Sequence, residues 1–306
     1  MKYLGSAIAV TLSLALAAWS LKILWPLWRS DSMLTHSPLL AAGAIGLLVW
    51  RRNDLKRWNS AEWPGLILLG VSALLEVIAT WGEIVFLQPA AFLGILIGMA
   101  WFLGGRETAK VCAWPLGLFL FTIPWPTTLV TALAFPMQLT SSAYAALFAG
   151  MFGLNIHREG VHLSVLSPEG DKAIYSMIVA QQCSGLTSLL VLLSFGYLIA
   201  YFTPRAWWAR AVLVLTVIPL ALFANAVRLT IILLVGGLTN PQWASWVHDN
   251  EQPVLIFFCS FGLLGLRQML MQKLPDPNAP AAAIATSPAP AIEAQPDAVE
   301  GPSDEE

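Results

Sequence analysis

WARAVLVLTVIPLALFANAVRLTIILLVGG, residues 208–237, decides the fold. Its thirty residues carry only two charges, Arg210 and Arg228, and about 20 mainly apolar residues suffice to cross the hydrocarbon of a bilayer. Outward from this stretch, comparable apolar runs occur at 4–27, 38–50, 64–82, 87–104, 110–123, 184–203 and 253–271. The whole chain is 57% hydrophobic and 11% charged, against roughly 25% charged in a soluble domain. The predicted fold class is therefore all-α, a polytopic transmembrane helical bundle of about eight helices. It occupies residues 1–274, with a small extracytoplasmic β-hairpin.

Two segments between the fifth and sixth runs differ from the rest. Residues 127–156 are helical in pattern but contain Pro136, Gly150 and Gly153, and read as a re-entrant or interfacial segment. Residues 157–182 alternate β-branched and apolar residues around Pro168-Glu169-Gly170-Asp171, which predicts a hairpin outside the membrane. The N-terminal run continues through Trp19 and Trp25 with no small-residue cleavage pattern, so it reads as a retained helix and not a signal peptide. From Pro275 onward the chain is rich in Pro and Ala, lacks aromatics and holds seven of the eighteen acids. Such a tail cannot bury enough apolar surface to offset its entropy, and residues 275–306 read as a disordered cytoplasmic tail.

Orientation follows the Lys/Arg bias of short loops. An inside N-terminus puts Lys2, Arg51, Arg52, Lys56, Arg57, Arg106, Lys110, Arg205, Arg210, Arg267 and Lys273 on the cytoplasmic side, eleven of the sixteen basic residues. It also keeps 127–182 on the opposite side. The expected location is a bacterial inner membrane, with lipid around the bundle and the reactive residues on the periplasmic face.

Those residues come from three places. Cys183, in QQCSGLTSLL at the outer mouth of the sixth run, starts a helix, where unpaired N–H groups and the dipole favour a thiolate. Cys112 and Cys259 lie inside apolar runs and behave as small hydrophobes; three scattered cysteines make no disulfide framework. Arg228 sits within the apolar seventh run, at a cost of at least ~2.5 kcal/mol on insertion scales, so it calls for a cavity or a partner; Asn225, one turn earlier, could hold it. His248, in WVHDN between tryptophans and the last run, can exchange a proton near neutral pH, with Asp249 beside it to orient it. A sulfur nucleophile, a proton carrier and a fixed cation on one membrane face are the parts that acyl transfer through a thioester needs.

The order FTIPWP (121–126), GLNIHREGVHL (153–163), QQCSGLTSLL (181–190), NAVRL (225–229) and WVHDN (246–250) resembles the exosortase/archaeosortase family, membrane cysteine transpeptidases of the PEP-CTERM sorting system. The resemblance covers about residues 115–270. It implies Cys183 as nucleophile, with Ser184 beside it in the motif, Arg228 stabilising thiolate or oxyanion, and His248 as proton donor. It also implies partners in the form of substrate proteins whose C-terminal signal carries a short motif, an apolar helix and a basic end. Gln182 and Gln252 depart from the family pattern, as does the acidic tail.

Other constellations carry less. His157, Glu159 and His162 lack the His-Glu-x-x-His register, so no metal is expected, and the absence of a Gly-rich phosphate loop argues against a nucleotide cofactor. The basic residues occur as loop pairs, which gives no support for nucleic acid binding. Glu76 and Glu83 in the third run have no assigned role. The alternative functions from other classes are a transporter or channel component with Arg228 and Glu76 along a polar path, and a scaffold of an exopolysaccharide export system.

Overall fold

The computed structural model describes residues 2–31, 33–55, 62–204, 206–250 and 252–273. The tail from 275, Lys56, Arg57 and Arg205 lie outside the described residues.

Apolar runs become helices wherever sequence predicts them: α1 (Lys2–Ser30), α2 (Ser37–Trp50), α3 (Trp63–Trp81), α4 (Gln88–Gly117), α5 (Thr127–Met151), α6 (Leu186–Tyr201), α7 (Trp207–Leu238), α8 (Pro241–Asn250) and α9 (Gln252–Lys273). Five segments are long and apolar enough to cross a membrane: Val10–Ser30, Trp63–Trp81, Gln88–Thr122, Trp207–Leu238 and Pro253–Lys273. Two shorter apolar helices, α2 and α6, accompany them. The chain is a helical, multi-pass membrane protein.

The runs predicted at 87–104 and 110–123 are joined in α4, but they are not collinear. Gly105 interrupts the helix at φ 79°, ψ 176°, a region open essentially to glycine alone. Phe92 and Phe119, the latter in the 3-10 segment Leu118–Thr122 that follows α4 directly, would stand roughly 40 Å apart on a straight helix rising about 1.5 Å per residue, yet their ring centroids are 5.2 Å apart. The chain therefore turns back at Gly105, and α4 contributes two arms to the bundle. Its first arm packs antiparallel to α3 at very close range. A Cβ at Gly65 would fall 2.2 Å from the Phe102 amide nitrogen, and one at Gly98 would fall 2.7 Å from that of Leu69. Small residues at such crossings let backbones approach in a medium that gives helices no hydrophobic drive to associate. The second arm packs on α1 and α2 through Trp28, Leu34, Ala44, Leu116 and Leu118.

Residues 155–178 form three strands where sequence predicts a hairpin of two. Strands β1 (Asn155–Glu159), β2 (His162–Leu166) and β3 (Ala173–Ile178) pair antiparallel in the order β1-β2-β3. The predicted turn at 168–171 joins β2 to β3; the unpredicted one, at Gly160 with φ 61°, joins β1 to β2. Leu163 and Val165 face inward onto Ala145 and Ala149 of α5 and Leu229 and Leu233 of α7, while His162 is exposed. Polar bonds fix this contact: Ser142 Oγ donates to Gly160 O (2.9 Å) and Gln138 Nε2 donates to Val179 O (2.9 Å). The sheet thus caps the end of α7 distant from Trp207.

Replacing Gly105 by Ala is expected to cost about 1–3 kcal/mol by forcing a side chain into that backbone region. The solubilised variant should unfold at a clearly lower temperature; an unchanged midpoint contradicts the fold-back.

Candidate active site

The sulfur-bearing residue sits in a single 3-10 turn, Gln181–Cys183, between β3 and α6. Cys183 N donates to Ala180 O (2.9 Å) and Ser184 N to Gln181 O (3.1 Å), closing the turn. Gly185 then adopts φ 87°, ψ 1°, the left-handed conformation that lets the chain swing into α6 without a Cβ penalty. Ser184 is fully buried, and its Oγ accepts from Leu186 N (3.2 Å), satisfying a first-turn amide that has no partner within the helix.

Asn225 of α7 lies directly on this turn. A Cβ at Gly185 would meet its Cβ and Cγ at 2.9 Å. Its Nδ2 donates both to Cys183 O and to Ser141 Oγ on α5, each at 2.9 Å. One buried amide thus ties three elements together, a closer role than the support for Arg228 expected from sequence.

His248 is delivered by α8, a helix in a stretch to which the sequence alone assigns no element. Its signal was present in Asn240-Pro241: Trp243 N donates to Asn240 Oδ1 (3.0 Å), and Pro occupies the first helical position, an established start pattern. Ala244 is fully buried, and His248 follows it by four residues on the same face. Trp243 and Trp246 are 57% and 58% exposed on the other side, as amphipathic side chains at a membrane interface are.

The result is a direct pair: Cys183 Sγ and His248 Nε2 are 3.0 Å apart. Arg228, only 5% exposed, donates from Nη2 to the backbone carbonyl of His248 (3.2 Å) and so holds the segment that carries the imidazole. The side chain of Asp249, expected to orient His248, lies outside the described residues. Cys183 is 5% exposed and is packed among Ala145, Leu163, Leu229 and Leu233. Tyr175 of β3 packs against the same cluster and is a neighbour that sequence reading missed. Burial, and then the charge of an ionised Cys183, push its phenol above the ordinary range. Among the described residues, no group of three or more His, Cys, Asp or Glu side chains could hold a metal. His157 stands on the exposed β1, 4.0 Å from Glu159.

A sulfur beside an imidazole, with a buried guanidinium on the imidazole's own backbone, is an arrangement able to form and resolve a thioester. The sequence model of a family described as transmembrane exosortase matches residues 28–265, a span that includes Cys183, Asn225, Arg228 and His248. No curated protein and no solved structure matches the chain.

Gly185→Ala is expected to destabilise by about 1–3 kcal/mol through its left-handed backbone and to push Asn225 off the turn. Gly150→Ala, whose new Cβ meets open space, serves as the control. Unfolding midpoints of the two solubilised variants check this, and equal midpoints contradict it.

Proposed function

The chain belongs to the transmembrane exosortase family, and from that premise we propose that it is a membrane-embedded cysteine transpeptidase acting on C-terminal sorting signals of the PEP-CTERM type. The observation that carries this reading is the 3.0 Å contact between Cys183 Sγ and His248 Nε2.

In this scheme the Cys183 thiolate attacks the scissile carbonyl, and the C–N bond breaks as the His248 imidazolium gives its proton to the leaving amine. The acyl group stays on sulfur as a thioester. An acceptor amine, or water, then attacks the thioester carbonyl while His248 takes back a proton, and the free thiolate returns. Arg228 stabilises negative charge on sulfur or on the carbonyl oxygen and anchors the His248 backbone. Asn225 keeps the Cys183 turn in place, and Ser184 supports it through the first turn of α6.

The substrate would be a protein ending in a short recognition motif, an apolar helix and a basic end. Supporting this is a groove of about 700 Å³ between α2, α6 and α9. Thr187 and Pro253 line one end of it, Val191, Phe195 and Phe261 its length. Thr187 lies four residues beyond Cys183 and Pro253 five beyond His248 in the chain. A polypeptide in hydrocarbon must satisfy its backbone internally, as a helix does. The catalytic face is the periplasmic side of a bacterial inner membrane, with α5 and the sheet outside the membrane core.

In cells co-expressing a signal-bearing substrate, Cys183→Ala is expected to abolish processing with membrane abundance unchanged. His248→Gln should slow it at least ~100-fold, the scale of a lost proton-transfer group. Arg228→Lys, which keeps the charge but not the planar fork, should also be impaired. Immunoblots of substrate size read all three, and undiminished processing by Cys183→Ala overturns the reading.

A further inference from the structure

Glu76 has no part in the chemistry above, and it sits where a carboxylate needs a reason. It is 1% exposed in the C-terminal half of α3, five residues before the helix ends at Trp81, in a segment apolar enough to cross a membrane. Ser20 of α1 donates to its Oε1 (2.7 Å). Its Oε2 has no hydrogen-bond partner among the described residues, and the same holds for two further buried oxygens, Thr80 Oγ1 and Gln88 Oε1.

These three oxygens belong to one place. Thr80 follows Glu76 by one helical turn. Gln88 opens α4 and is 4% exposed. The contacts of Gly65 with Phe102 and of Gly98 with Leu69 set the antiparallel register of α3 on the first arm of α4. Carried along the pair, that register puts Gln88 opposite Ala79, about 1.5 Å of helix rise from Thr80 and about 4.5 Å from Glu76. Along the helix axes a carboxylate oxygen, an amide oxygen and a hydroxyl oxygen therefore lie within about one turn of one another at the α3–α4 interface, and the Ser20 hydroxyl bonds the other oxygen of the carboxylate.

The chemistry of this set is narrow. All the donors are hard oxygens, which suit alkali and alkaline-earth ions and not the softer transition metals. They carry one negative charge, and an uncompensated charge at such a depth is costly. A single positive charge neutralises it, whereas a divalent ion would leave a net charge buried between the helices. A proton on Oε2 could engage one further acceptor, while a metal ion engages all three oxygens at once. We propose that Glu76, Thr80 and Gln88 form a binding site for one monovalent metal cation, Na⁺, that clamps α3 to the first arm of α4. The site is independent of Cys183 and His248, and the test does not use processing as its readout.

The test is thermal unfolding of the full-length, detergent-solubilised protein at fixed pH and ionic strength, with NaCl replaced stepwise by choline chloride and, in a parallel series, by KCl. The unfolding temperature is expected to rise with NaCl, with the logarithm of its concentration once the site is mostly filled, as for any ligand that binds the folded state alone. It should stay flat in choline, and the rise should be abolished in Glu76→Gln and at least halved in Gln88→Met. Equal midpoints in NaCl and choline chloride at every concentration overturn the proposal. So does an undiminished Na⁺ response in Glu76→Gln. If Glu76→Gln does not fold, the titration of the unaltered protein and of Gln88→Met decides.

Discussion

The structure turns on one buried amide. Asn225 donates to the carbonyl of Cys183 and to the hydroxyl of Ser141, joining the sulfur-bearing turn, α7 and the sheet-bearing α5 at a point that is 2% exposed. Without it, Cys183 would hang on a three-residue turn between a small sheet and a short helix. The amide fits only because residue 185 has no side chain, which couples the backbone strain of the turn to the placement of the sulfur. Arg228, three residues further along the same helix, repeats the device on the other reactive group by bonding the carbonyl of His248. Two polar residues on adjacent turns of α7 thus hold both halves of the reactive pair.

Their position along α7 explains why the site lies at one end of the bundle. Polar groups in hydrocarbon must be satisfied internally or cost several kcal/mol, so a thiol, an imidazole and a guanidinium meet most readily where irregular backbone is covered by protein. The 3-10 turn before α6 is such backbone, and α5 covers it. Leu163 and Val165 seal that cover against α7. An apolar groove also runs between α2, α6 and α9, lined by Thr187, Val191, Phe195 and Pro253.

Much of this was legible in the residues. Long apolar runs have one structural solution in a bilayer, so the helices follow from length and composition. The three reactive residue types stand out because each is expensive or reactive where it is found. What sequence left open depends on contacts between distant elements. That Asn225 grips the Cys183 turn depends on α7 meeting that turn, which neither segment reveals alone. Joining 87–104 to 110–123 depended on Gly105, whose role is visible only once Phe92 is found against Phe119. The first strand pairs through Gly160 in a polar Arg-Glu-Gly stretch whose alternation is too short to register. Helix α8 was signalled by Asn240-Pro241 but outweighed by its low hydrophobicity, and Tyr175 became a neighbour of Cys183 only through the packing of the sheet on α7.

The central claim is that Cys183 and His248 act as a chemical pair, and it is tested most directly by looking for the covalent intermediate. Purified protein mixed with a signal-bearing substrate, quenched in acid and digested, should yield a Cys183 peptide carrying the mass of the substrate's acyl portion, removable by neutral hydroxylamine as a thioester is. Processing that proceeds with no hydroxylamine-sensitive adduct on Cys183, or with the adduct on another residue, would contradict the account.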